Sequence, residues 1–171
     1  MFHNIVVTNE GVREYGRTNM PPRCTIKVDL HKAFDSISWT FLRRVLVQFG
    51  FPDRFIDLIM ECVTFPRYSV LVNGALEGFF EGKRGIRQGD PLSPYLFVLC
   101  IQVLSRKLSV VASGVGFSFH SRCRASKLTH LAFADDLLLF YRADLSFVSV
   151  LQSSLDEFFQ MFGLSANIEK S

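Results

Sequence analysis

Two carboxylates stand side by side between apolar runs in LTHLAFADDLLLFYR, at Asp135 and Asp136. The flanking hydrophobic residues read as two strands, and Ala134-Asp135-Asp136 as the tight turn between them. Like charges this close repel. A divalent cation removes that cost, and carboxylate oxygens are the ligands Mg²⁺ prefers. Asp is also a common turn residue, so the pair taken alone reads more readily as a solvated turn. The rest of the chain reverses that balance.

A second acidic motif lies upstream in CTIKVDLHKAFDSISW. Thr25–Leu30 is expected to be a strand. Alternation puts Ile26, Val28 and Leu30 on one face, and Lys27 and Asp29 on the other. Asp29 then sits near a strand end with its side chain off the core face, where an Asp entering a turn is also ordinary. Phe34 follows and, taken alone, reads as a core aromatic. Asp35 reads as a residue that caps or turns the chain into the next helix rather than one that binds metal.

Between the two motifs lies EGKRGIRQGDPLSPYLF. Gly85 and Gly89 bracket Ile86, Arg87 and Gln88, and glycine lets a backbone approach another chain closely. Lys83, Arg84 and Arg87 put cations on this loop, which suits a phosphate backbone. Ser93-Pro94 reads as an N-cap followed by proline at the first helical position.

KVDLHKAFDSISW, GIRQGDPLSPYLF and FADD, in that order, resemble the central motifs of reverse transcriptases. The match is closest to the non-LTR, LINE-type retrotransposon group, particularly the plant elements. GLSANIEKS resembles the motif that follows in that family, and NEGVREYGRTNMPPRC the helix and loop before its first aspartate. The resemblance spans nearly the whole chain, and three motifs in order make coincidence improbable.

The resemblance implies an RNA-directed DNA polymerase that adds deoxynucleotides to a primer 3′-hydroxyl. It implies two Mg²⁺ ions, or Mn²⁺ in their place, held by Asp29, Asp135 and Asp136. Two such ions stabilise the entering and leaving oxygens of an in-line displacement. Phe34 matches the family's steric gate, which rejects a ribose 2′-hydroxyl. Gln88 and Gly89 match positions at the nucleotide and nascent base pair. Lys83, Arg84, Arg87 and Ala134 are placed along template and primer, and Lys170 as a proton donor to departing pyrophosphate. The implied partners are an RNA template, a DNA primer and deoxynucleoside triphosphates, with no membrane.

The implied fold is α+β: a polymerase palm, with an antiparallel sheet and helices packed on one face. Residues 1–171 are expected to form one partial reverse transcriptase domain, the palm with a short piece of fingers at 1–24. The fingers are then incomplete and the thumb missing, as in a fragment of a longer polyprotein. A truncated, non-catalytic remnant or nucleic-acid-binding module is the alternative, and an intron maturase a nearer one.

The elements that must position these residues follow from periodicity. A helix broken by Gly11 is expected over 4–16. A helix is expected over Ser38–Phe49, stopped by Gly50, and another over Pro52–Cys62 with Phe55, Ile56, Ile59 and Cys62 inward. Tyr68–Val72, Asn73-Gly74 and Leu76–Phe80 form a strong hairpin signal. A long, mostly buried helix is expected from Pro94 to Val111, then three strands within Gly114–His120 and Leu128–Tyr141. A last helix is expected over Leu145–Phe162, with Gly163 after it.

A net charge of +3 over 171 residues gives no strong basic field, so nucleic-acid contact must come from a local patch. Cys24, Cys62, Cys100 and Cys123 show no metal-ligand spacing and read as reduced, mostly buried thiols. No secretory signal is read, and the apolar run Tyr95–Ile101 is too short to span a bilayer. An intracellular protein of nucleus or cytoplasm is expected.

Overall fold

The computed structural model describes residues 23–30, 32–114, 117–121, 123–133 and 136–163. The expected helix over 4–16 lies outside these residues. Strand β1 (Arg23–Asp29) opens the described chain. Four short helical residues follow as α1 (Ala33–Ser36), entered through Lys32 in a left-handed conformation. Asp35 lies inside α1 and caps nothing. The cap of the next helix, α2 (Trp39–Gln48), is Ser38, whose hydroxyl accepts from the Phe41 amide. Gly50 ends that helix at φ 79°, which glycine adopts without a Cβ penalty.

Helix α3 (Asp53–Thr64) buries Ile56, Ile59 and Met60, spaced as one helical face. Phe55 and Cys62, expected inward, are exposed instead. The buried stripe takes in Met60 in place of Phe55 and Cys62. Strands β2 (Arg67–Val72) and β3 (Ala75–Glu81) pair antiparallel as a separate two-stranded sheet. Asn73 and Gly74 both have positive φ, 50° and 84°, as the twist-matched hairpin turn requires.

Helix α4 (Ser93–Ala112) is the one helix among the described residues long and apolar enough to cross a membrane, by length and composition only. The expectation that it is mostly buried does not hold. Leu96, Phe97, Cys100, Ile101, Leu104 and Leu108 form a buried stripe, while Tyr95, Val98 and Val110 are exposed. One buried stripe is the pattern of a helix laid on a core. Burial pushes the Cys100 thiol up to about 12.

Strands β4 (His130–Phe133) and β5 (Asp136–Arg142) complete a three-stranded antiparallel sheet in the order β1-β5-β4. Asp136 is therefore the first residue of a strand, not part of the turn. Gly114–His120 supplies no strand among its described residues; Phe119 makes a single bridge to Tyr141. Ring packing holds that stretch instead, with Phe117 edge-on to Phe119 at 4.7 Å and to Phe147 at 4.8 Å. Helix α5 (Leu145–Phe162) ends at Gly163, φ 96°.

The chain divides into two compact units, one of Met1–His31, Leu104–Phe158 and Ser165–Ser171, the other of Lys32–Val103 and Phe159–Leu164. In the first, one sheet face is packed by helices. His130 bonds Ser105 of α4 at 2.8 Å, and Tyr141 meets the ring of Phe147 on α5 at 5.7 Å. Burial lowers the pKa of His130. In the second, α2 buries Leu42 and Leu46 completely, each stabilising by about 1.5–3 kcal/mol over exposure.

Candidate functional site

In the first unit, β1 and β5 bring Asp29 directly opposite Asp136, and Lys27 opposite Leu138. Residues opposed in an antiparallel pair share a face, and that face repeats every second residue. Lys27, Asp29, Asp136 and Leu138 therefore lie on one side, and Ile26, Val28, Leu137 and Leu139 on the other. At the carboxylate end of β5 burial follows this division, whereas further along the carboxylate face Phe140 is fully buried. Leu137 and Leu139 are 1% exposed, while Lys27 and Asp29 are exposed and Asp136 half-buried. His130, which faces Leu139, bonds α4, so the helices cover the side away from the carboxylates.

Two like charges directly opposite are unfavourable on their own. A cation offsets this here: Lys27 Nζ lies 2.9 Å from Asp136 Oδ1. Among the described residues no group of three or more His, Cys, Asp or Glu is gathered for a metal. Asp29 and Asp136 provide two hard oxygen donors on an open face, the kind Mg²⁺ takes together with water and substrate oxygens. Ala134, Asp135 and Lys170 lie outside the described residues. Phe133, opposite Asp136 at the end of β4, keeps about half its surface open.

In the second unit, the 85–88 loop is strapped along α1. The Gly85 amide donates to the Ile37 carbonyl at 2.7 Å, and the Ile86 amide to that of Phe34 at 2.8 Å. The Trp39 indole donates to the Gly85 carbonyl at 2.8 Å. A Cβ on Gly85 would sit 2.7 Å from the Asp35 carbonyl oxygen. The close approach expected of this glycine is thus made to α1 of its own chain. Gln88 Nε2 donates to Asp35 Oδ1 at 3.3 Å. Phe34 is half-buried and stacks on Phe97, with ring centroids 4.6 Å apart and planes 14° apart. Phe97 meets Phe162 edge-on at 6.4 Å. Lys83, Arg84, Arg87, Gln88 and Gly89 are exposed.

Sequence reasoning missed four contributors. Lys27 was visible only as a residue on the face of Asp29. Trp39 and Phe97 stand inside the motifs with nothing in their spacing to mark them. Gly163 read as a helix stop, yet a Cβ there would meet the Ser36 carbonyl oxygen at 2.5 Å. No local spacing signals these contacts, because each is made with a residue distant in sequence.

The chain matches the family described as reverse transcriptase (RNA-dependent DNA polymerase) over residues 4–171. It is 33% identical, over 85% of its length, to a retrovirus-related Pol polyprotein from type-1 retrotransposable element R2 of Popillia japonica. It is 34% identical, over 84% of its length, to that from type-2 retrotransposable element R2DM of Drosophila melanogaster. The chain spans 23% and 13% of those two proteins. Its fold is similar to telomerase from Candida albicans, solved in complex with a TWJ fragment of telomeric RNA. That likeness has a TM-score of 0.67 at 14% identity, covering 99% of this chain and 29% of the telomerase.

Proposed function

Since the chain belongs to the reverse transcriptase (RNA-dependent DNA polymerase) family, we propose that it is the palm of a non-LTR retrotransposon polymerase. In this reading residues 1–171 are one partial domain, with a short piece of fingers at 1–24. Its activity is that of a longer protein, which adds deoxynucleotides to a primer 3′-hydroxyl on an RNA template. The observation that carries the reading is the register of β1 and β5, which pairs Asp29 with Asp136 on an open face.

Asp29, Asp135 and Asp136 would hold two Mg²⁺ ions, which would supply charge neutralisation for the triphosphate and activation of the 3′-hydroxyl. Phe34 holds the gate, its ring backed by Phe97 so that it cannot yield easily to a 2′-hydroxyl. Gln88 and Gly89 lie at the nucleotide and nascent pair, and the Asp35 carboxylate steadies the Gln88 amide. Lys83, Arg84 and Arg87 meet template or primer phosphate, and Ala134 takes part in template or primer binding. Lys170 gives a proton to departing pyrophosphate. Such a protein works inside the cell, in nucleus or cytoplasm, with no membrane partner.

The test grafts this chain into the corresponding part of the Popillia japonica polyprotein. With Mg²⁺ and deoxynucleotides, the graft should extend a DNA primer along an RNA template. A soluble, folded graft that binds primer-template and extends nothing would contradict the proposal.

A further inference from the structure

We infer that Lys27 is the built-in counter-cation of the Asp29–Asp136 pair, steadying the two carboxylates before a divalent ion arrives and limiting how tightly that ion binds. This rests on the metal reading above. Lys27 does not stand over its register partner Leu138. It crosses diagonally to Asp136, placing Nζ 2.9 Å from Oδ1. Diagonal neighbours on one sheet face are within reach of long side chains. The side chains of Lys27 and Asp136 are 61% and 42% exposed, so a cation from solvent can reach the same carboxylate.

Two consequences of opposite sign follow. Without metal, the ammonium offsets the repulsion of two carboxylates set directly opposite each other. With metal, the ion must either displace that ammonium or accept a like charge beside it. Loss of Lys27 therefore weakens the metal-free protein and strengthens metal binding. A lysine that is merely solvated changes neither, and one that only supports the strand weakens both.

Mn²⁺ binding to the chain, followed by electron paramagnetic resonance, and thermal unfolding in EDTA separate these cases. Lys27→Met should tighten Mn²⁺ binding by about two- to fivefold, the range an exposed ion pair spans. It should lower the unfolding midpoint in EDTA by about 1–4 °C. Lys27→Arg should leave both near wild type. Unchanged or weaker Mn²⁺ binding in Lys27→Met, or an unchanged midpoint in EDTA, would overturn the inference. Asp29→Asn serves as the control for the site itself. If it binds Mn²⁺ as tightly as wild type, the metal reading fails and the role of Lys27 fails with it. If it loses Mn²⁺ while Lys27→Met gains nothing, the role of Lys27 alone is rejected.

Discussion

Phe34 has a packing role in the structure and a selection role in the proposal. Its ring is half-buried and stacked on Phe97, so it is a structural contact as well as the proposed gate. The two roles separate in their consequences. In the grafted polymerase, Phe34→Val should raise ribonucleotide incorporation much more than it lowers use of deoxynucleotides. A purely structural role predicts a loss of stability of a few kcal/mol, about what a large-to-small core change costs, with the deoxy/ribo ratio untouched. Single-turnover incorporation of the matched pair of nucleotides measures the ratio, and an unchanged ratio in folded protein would remove Phe34 from selection. Alternation alone located Asp29 off the core face, and the structure agrees. The ion pair of Lys27 with Asp136 was not legible, because it depends on a cross-strand diagonal between residues more than a hundred positions apart.

At the scale of elements, the short α1 and the 85–88 loop act together, since the loop amides of Gly85 and Ile86 bond the carbonyls of Ile37 and Phe34. Gly85 makes this strap possible. Its φ is +87°, and a Cβ there would stand 2.7 Å from the Asp35 carbonyl oxygen. Gly89 has a similar φ, +86°, but a Cβ there would meet nothing within 4 Å. Gly85→Ala should therefore cost about 2 kcal/mol or more, combining backbone strain with a collision. Gly89→Ala should cost only about 1 kcal/mol of strain. Urea unfolding of both variants checks this, and equal costs would mean that the strap is not close-packed. Helix ends were legible here because local chemistry sets them, as at Ser38, Gly50 and Gly163. The inward face of α3 was less so, because packing selected Met60 over Phe55, and both fit an apolar helix. Gly114–His120 looked strand-like by composition, yet among its described residues it builds no strand, meeting β5 through a single bridge at Phe119, the Ser118 carbonyl that accepts from the Arg142 amide, and His120 against the Phe140 ring.

At the scale of the whole molecule, the order of the motifs was legible because it is written along the chain. The division into two units was not, since besides the boundary after His31 it falls inside α4 and α5, where composition does not change. Polymerisation depends heavily on holding reactants in line, and the chain spans only 23% of the Popillia japonica relative, so the decisive assay belongs to the graft. The central claim is that Asp29, together with the Asp135-Asp136 pair, holds the ions on which synthesis depends. The most direct measurement is RNA-templated primer extension in Mg²⁺ by the graft and by its Asp29→Asn and Asp135→Asn variants. Each change keeps the side chain's size and removes the charge a cation needs. The account predicts that either variant, folded and still binding primer-template, loses about a hundredfold or more of the rate, as several kcal/mol of charge stabilisation implies. Extension near the wild-type rate in Asp29→Asn or Asp135→Asn would contradict it.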